Sequence, residues 1–415
     1  MRDFIARADK VMARVRELAA ISEDGSCITR RFGTAAALEA GQKVMEWMLG
    51  AGLKVRVDNI GNIRGRWEAA GPGAKTLVIG SHVDTVVDAG QWDGPLGVLM
   101  GLDLLEELIA EGVELPFNIE LIAFSDEEGV RFHTTYLGSK VVTGSFEPAL
   151  LERRDGDGVS LSEVIKEMGG NIGRLSGDAI AAEEWLGYFE IHIEQGPVLY
   201  ERDIPVAVVS AIAGQVRAEV VIEGVAGHAG TVPMDLRRDA LAGAAEFILE
   251  VERVAGSKGL VATVGKLEVV NAASNVIPGK VICSVDVRSA DGVVLSRGCE
   301  QLRLGVESIG WRRGLAVGWR VVQESSPVAC DGGMGLLLGR CIAAAGYEVV
   351  ELVSGAGHDA VPVSAVSPVC MLFVRCYKGI SHNPQESVEK RDLVAAVEVA
   401  DRFLHQLSEI WKYPR

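Results

Sequence analysis

His82 and Asp84 stand two residues apart in GSHVDT, at the tip of an apolar run, so in an extended chain both side chains leave the same face. A histidine that ligates metal normally has its second ring nitrogen fixed by a carboxylate or carbonyl, and Asp84 is close enough to supply that partner or to hold a neighbouring ligand. Asp93 follows in WDGPLG, where Gly94 and Gly97 permit a tight turn into a helix; a metal ligand and a plain helix cap are both open for this carboxylate. In SDEEG, Glu127 and Glu128 are adjacent carboxylates just past an apolar strand and point in different directions. That suits one ligand beside one general base, and it also suits a solvated acidic loop. FEIHIEQG alternates Phe189, Ile191 and Ile193 with Glu190, His192 and Glu194, which predicts a half-buried strand presenting His192 on its polar face. GISHNPQE places His382 after a strand and before a turn.

Each position alone has an ordinary structural reading. Five of the 7 histidines (His82, His192, His228, His358, His382), however, fall at strand ends or in glycine-flanked loops, and only His133 and His405 do not. Imidazole and carboxylate ligands without a thiolate suit Zn²⁺, Mn²⁺ or Co²⁺ in a hydrolytic site and do not suit a structural zinc. Two further side chains could touch a substrate. His228 sits in GVAGHAGTVP, whose small residues bring backbone close and leave the ring exposed. Arg288 lies on the polar face of VICSVDVRS, where a guanidinium can grip a carboxylate bidentately or simply pair with Asp286.

The elements that must hold these residues follow from the apolar pattern. TLVIGS, GVLMGLDLLEELIAEG and NIELIAFS read as strand, helix, strand, the rhythm of an α/β sheet, and both strands run into charged clusters where ligands gather in such sheets. From about residue 212 the order becomes βαββαβ, which predicts a four-stranded sheet with two helices on one face, ferredoxin-like, over 212–326. The α/β pattern resumes with SPVCMLFVR and an amphipathic closing helix carrying Val394, Val397, Phe403, Leu407 and Trp411. The expected architecture is therefore a discontinuous α/β domain with a mixed sheet, 1–211 and 327–415, interrupted by an inserted α+β domain. An N-terminal helix is expected with apolar residues at Ile5, Met12, Val15 and Leu18, without a signal-peptide run.

With 415 residues, 48% hydrophobic and 24% charged, the chain can bury a large core. Its net charge of -16 repels phosphate backbones and anionic lipid, so neither nucleic acid nor a membrane is an expected partner, and an anionic substrate needs a local site of Arg, amides or metal. Seven scattered cysteines without a CxxC pair fit reduced thiols in the cytoplasm.

GSHVDT, the aspartate of WDGPLG, SDEEG, HIEQG, GHAGTVPM, NVIPG with VDVR, SGAGHDA and GISHNP together resemble, in order and spacing, the hydantoinase/carbamoylase branch of the dinuclear aminoacylase and carboxypeptidase superfamily. The resemblance spans essentially the whole chain. Within the branch, FSDEEGVRFHTTYLGS, AIAGQVR, GHAGTVPMDLRRD and MLFVRCYKGISHNP look closest to allantoate amidohydrolases. N-carbamoyl-L-amino acid hydrolases and ureidopropionases share most of these motifs. The resemblance implies two divalent ions per subunit bridged by Asp93, with His82 and His192 completing one position and Glu128 and His382 the other. It implies Glu127 as general base and Asp84 as the orienting carboxylate. It further implies that the inserted domain forms a homodimer interface and lends His228 to the partner's site, and that Gln195, Arg217, Asn275, Arg288 and the backbone of Gly357 hold a ureido acid. A non-catalytic binding protein that keeps the fold is the reading from another class; retention of every ligand and of Glu127 speaks against it.

Overall fold

The computed structural model describes residues 3–256 and 259–412. It forms two compact units, Met1–Ser210 with Cys330–Arg415, and Ala211–Ala329.

In the first unit, the strands Thr76–His82, Asn118–Phe124, Trp185–Ile193 and Val369–Val374 are buried along their whole lengths. Continuous apolar runs of this kind belong to strands covered on both faces, the usual state of parallel sheets. They lie side by side and parallel, in the order Asn118–Phe124, Thr76–His82, Trp185–Ile193, Val369–Val374. Antiparallel strands close the flanks: Ile63–Trp67 with Lys54–Val57 on one side and Val206–Ile212 on the other. The sheet is therefore mixed, as the α/β reading requires. The half-buried reading of FEIHIEQG is corrected: the strand is central, and Glu190 and His192 are as buried as the apolar residues they alternate with. Alternation marks two different faces, and here both faces are covered.

Helix Pro95–Ala110 connects two of the parallel strands and is buried on nearly every side, which explains its almost uninterrupted apolar sequence. The terminal helices Phe4–Ala19 and Lys390–Lys412 pack beside it. Arg7 ties all three together: its Nε donates to Asp103 Oδ2 and its Nη1 to Asp401 Oδ1, each at 2.8 Å, and all three side chains are buried. The buried stripe of the first helix is Ala8, Val11, Val15 and Leu18, whereas Ile5 is 57% exposed and does not belong to it.

The second unit has its own core of apolar residues from helices Ala240–Ala255 and Gly292–Arg313 and from a sheet built on Gly214–Glu223, Lys280–Ser289 and Ala316–Ser325. Its sheet has five strands instead of the expected four. LVATVGKLEVV breaks at Val264–Lys266 into Val261–Thr263 and Leu267–Val269, and both pieces pair with Lys280–Ser289. Among the described residues no helix is long and apolar enough to cross a membrane. All seven cysteines are free thiols.

Candidate metal centre

The sheet order dictates where a site can form. The chain leaves Thr76–His82, crosses through helix Pro95–Ala110 and returns as Asn118–Phe124 on one side, while Trp185–Ile193 lies on the other. This reversal is a topological switch point, and ligands bind outside the carboxyl ends of the strands that flank it. His82 ends one of these strands and His192 lies next to the end of the other. Glu127 and Glu128 follow the end of Asn118–Phe124, and His382 follows Val369–Val374. Because the four strands are parallel neighbours, their carboxyl ends adjoin.

Asp93 stands at the centre. Its Oδ1 lies 3.1 Å from His192 Nε2 and 3.8 Å from His82 Nε2. Its Oδ2 lies 3.0 Å from His382 Nε2, which in turn is 3.3 Å from Glu128 Oε1. Glu127 Oε2 is 4.0 Å from His82 Nε2. Gln195 Nε2 donates to Asp93 Oδ2 at 2.8 Å. Asp93 reaches this position because Gly94 turns the chain at φ +84° into the helix opened by Pro95, and a Cβ at Gly94 would fall 2.5 Å from the His82 ring.

The two buried imidazoles are fixed by main chain: His82 Nδ1 lies 3.0 Å from Asp84 O, and His192 Nδ1 lies 3.0 Å from Ile193 O. Each Nδ1 therefore donates its proton to main chain, and each Nε2 is left facing Asp93. Asp84 contacts the group through two of its parts. Its carbonyl orients His82, and its carboxylate accepts the amides of Glu127 and Glu128, each at 3.1 Å, fixing the turn that carries both glutamates.

Burial pushes the Glu127 carboxyl well above the usual range, and the charges of Glu128, Asp359, Asp84 and Asp93 push it further. Burial acts against the ionised form of Asp93 too, but His192 and His382 outweigh it and hold this carboxyl well below its ordinary value. Burial opposes a charged His192, yet contact with Asp93 raises it to about 9. Hydrogen bonding to Asp93 and Glu128 raises His382 to about 10. In the chain alone, these imidazoles hold protons where cations fit. Asp93 Oδ1 is buried, and the polar atoms facing it are Nε2 of His192 at 3.1 Å and Nε2 of His82 at 3.8 Å. His82, Asp93 and His192 form one group able to hold a metal ion, and Asp93, Glu128 and His382 form another, sharing Asp93. Imidazole nitrogens and carboxylate oxygens gathered on one buried aspartate, with no thiolate among them, fit divalent ions once those nitrogens give up their protons.

Further neighbours surround this group: Ser381 and Glu386 from GISHNPQE, Gly357 and His358 from SGAGHDA, and Tyr136. Glu386 Oε1 accepts from the amides of Trp92 and Asp93 at 2.7 and 3.1 Å. Burial and the charge of Asp93 raise its carboxyl to about 7. Ser381 Oγ lies 3.0 Å from both Asp93 Oδ2 and Glu386 Oε2. His358 packs edge-on against His192 with ring centroids 4.5 Å apart, and its Nε2 lies 2.6 Å from Ser354 Oγ. Gly357 lies beneath the Tyr136 hydroxyl. Glycine-flanked histidines were readable in sequence; Glu386 and Tyr136 were not, since their partners come from remote segments.

The other expected residues belong to the second unit and form two groups there. His228 and Asn275 adjoin through the short pair Gly227–His228 and Val276–Ile277, with Ala229 N donating to Asn275 O at 2.9 Å. His228 Nδ1 accepts from Gly230 N at 3.0 Å, which leaves Nε2 of the exposed ring as the protonated donor. Arg217 and Arg288 share one carboxylate: Arg217 Nε donates to Asp286 Oδ2 at 3.0 Å, and Arg288 grips Asp286 through Nε at 2.8 Å and Nη2 at 3.0 Å.

The profile of Peptidase family M20/M25/M40 matches residues 78–406, and the chain belongs to this family, whose members are metal-dependent. Among its relatives, it is 38% identical to allantoate deiminase 2 of Glycine max, over 96% of this chain and 89% of that protein. It is 37% identical to an N-carbamoyl-L-amino acid amidohydrolase of Geobacillus stearothermophilus, over 97% of this chain and 99% of that protein. A crystal structure of an amidase of the hydantoinase/carbamoylase family from Burkholderia multivorans superposes with a TM-score of 0.91 at 32% identity, covering 97% of this chain and 98% of that one.

Proposed function

We propose that the chain is a metal-dependent amidohydrolase that cleaves a carbon–nitrogen bond of a ureido acid, with allantoate as substrate and ureidoglycine, ammonia and carbon dioxide as products. The observation that carries this reading is the single carboxylate, Asp93, facing His82 and His192 through one oxygen and His382 and Glu128 through the other, with buried Glu127 alongside. His82, Asp93 and His192 would hold one divalent ion and Asp93, Glu128 and His382 a second; Mn²⁺, Zn²⁺ and Co²⁺ all suit these donors. When bound, the ions supply Lewis-acid polarisation of the carbonyl and acidify a water.

Glu127 takes the proton of the attacking water and delivers it to the leaving nitrogen, a role for which a raised carboxyl is suited. Asp84 holds the turn that aims it. Gln195, Arg217, Asn275, Arg288 and the backbone of Gly357 bind the substrate, with the arginines on its carboxylate, and that role requires Asp286 to give up part of its hold on them. His228, with Nε2 as donor, is supplied to the site of a second subunit, which makes the inserted unit a dimerisation and lid domain of a homodimer. Seven scattered cysteines without a CxxC pair support a cytoplasmic location.

The similarity to the Geobacillus stearothermophilus enzyme favours a second reading, hydrolysis of N-carbamoyl-L-amino acids. Both substrates present a ureido group beside a carboxylate and differ in the remaining arm, polar in allantoate and commonly apolar in the others. Ammonia release from allantoate and from N-carbamoyl-L-methionine, measured in parallel on Mn²⁺- or Zn²⁺-loaded enzyme, separates them. Preferred turnover of allantoate is expected. Preference for the carbamoyl amino acid selects the second reading, and release from neither rejects a ureido acid substrate.

A further inference from the structure

Asp93 needs its two oxygens aimed in opposite directions, and it sits in a loop with no regular structure of its own between Val83 and Gly94. One side chain from the far end of the chain contacts that loop at two backbone amides and also meets a serine hydroxyl outside it. Glu386 is 3% exposed. Its Oε1 receives the Trp92 amide at 2.7 Å and the Asp93 amide at 3.1 Å, and its Oε2 lies 3.0 Å from the Ser381 hydroxyl. The same hydroxyl lies 3.0 Å from Asp93 Oδ2. Glu386 thus holds the main chain of Asp93 directly, and Ser381, whose one hydroxyl proton can go to either carboxylate, packs between the two side chains.

The approach is built into the sequence at both ends. Gly90 opens the gap: a Cβ there would lie 2.4 Å from Glu386 Cβ, Cδ and Oε1. On the other side, Asn383 Oδ1 accepts from Gln385 N at 2.9 Å and Asn383 O from Glu386 N at 3.0 Å, a tight turn that carries Glu386 back toward its own loop. His382 immediately precedes that turn, at φ +53°, in the left-handed region that carries strain for a residue with a Cβ. Strain of this kind persists only where surrounding contacts over-determine it. Glu386 supplies such contacts, because the carboxylate joins the loop of Asp93 to the loop of His382.

We propose that Glu386 is a positioning residue that sets the mutual placement of Asp93 and His382, and through it the affinity of the second cation position. This rests on the dinuclear reading above. The carboxylate faces backbone amides and a serine hydroxyl, so it acts on the ions only through Asp93 and His382. Carboxylates of this sort typically change metal affinity about 10–100-fold when removed.

The test is Mn²⁺ and Zn²⁺ binding to metal-free wild type, Glu386→Ala and Glu386→Gln, by competition with a chromophoric chelator, with circular dichroism and the melting temperature of each metal-free protein alongside. Glu386→Ala should weaken the second binding event by about 10–100-fold while the first changes little. Glu386→Gln, which keeps an acceptor for the Trp92 and Asp93 amides, should recover most of that loss. Gly90→Ala, which displaces Glu386 without altering its chemistry, should reproduce the weakening, and it serves if Glu386→Ala does not fold. Two wild-type-strength binding events in folded Glu386→Ala or Gly90→Ala overturn the positioning role alone. Equal weakening of both events, not rescued by Gln, shows general structural damage and overturns it as well. A wild-type chain that binds no divalent ion overturns the dinuclear reading itself.

Discussion

At the scale of single residues, the site depends on which atom faces which. Glu127 is buried, 4.0 Å from His82 Nε2, and held by a turn whose Glu127 and Glu128 amides donate to the Asp84 carboxylate. Replacing it by Gln keeps shape and removes the proton carrier, so Glu127→Gln should lower turnover by about 10²–10⁴-fold with bound metal unchanged, read by ammonia release and metal analysis on one sample. Retained turnover removes Glu127 as the base. A second expectation concerns acid. His192 at about 9 and His382 at about 10 bind protons at the nitrogens a cation would use. Metal binding must displace those protons, so affinity falls as pH falls below these values, and loading near pH 8 releases protons into a weakly buffered solution. Affinity independent of pH between about 6 and 9 contradicts this competition. Much of this chemistry was legible in the sequence, because His82, Asp93, Glu127, Glu128, His192 and His382 each stand beside a strand end or glycine turn. Glu386 was not legible. Its partners lie about three hundred residues away in sequence, and nothing local distinguishes it from a solvated glutamate.

Among elements, the parallel strands bring the candidate ligands together and helices pack against the sheet they form. Apolar runs such as TLVIGS and SPVCMLFVR announced buried strands, but alternation in FEIHIEQG misled, since a central strand can bury polar residues that face a site. The split of LVATVGKLEVV likewise depends on pairing with Lys280–Ser289, a tertiary fact. The terminal helices are joined to Pro95–Ala110 by Arg7, with Asp103 and Asp401 as its partners. Removing one member of a buried ionic group leaves the others unpaired, at a cost of about 3–5 kcal/mol. Arg7→Met should therefore lower the unfolding free energy of the metal-free chain by about that amount, measured by urea denaturation. A change under about 1 kcal/mol means the network contributes little beyond the apolar packing around it.

The whole molecule carries a charge of -16 and concentrates several carboxylates, among them Asp84, Asp93, Glu127, Glu190 and Asp359, in the buried interior of one unit. An interior of that kind is least stable without cations, so chelation should lower the melting temperature and added metal should restore it in proportion to occupancy. Division into two units and the α/β character of the larger one follow from patterning along the chain, whereas the second subunit proposed to receive His228 has no signature in composition. The most direct measurement is a titration of metal-free chain with Mn²⁺ while ammonia release from allantoate is followed. Turnover is expected to be absent at the start, to rise with added metal and to level off at two equivalents per chain. Full turnover without metal, or no turnover with both positions filled, would contradict a dinuclear centre organised around Asp93.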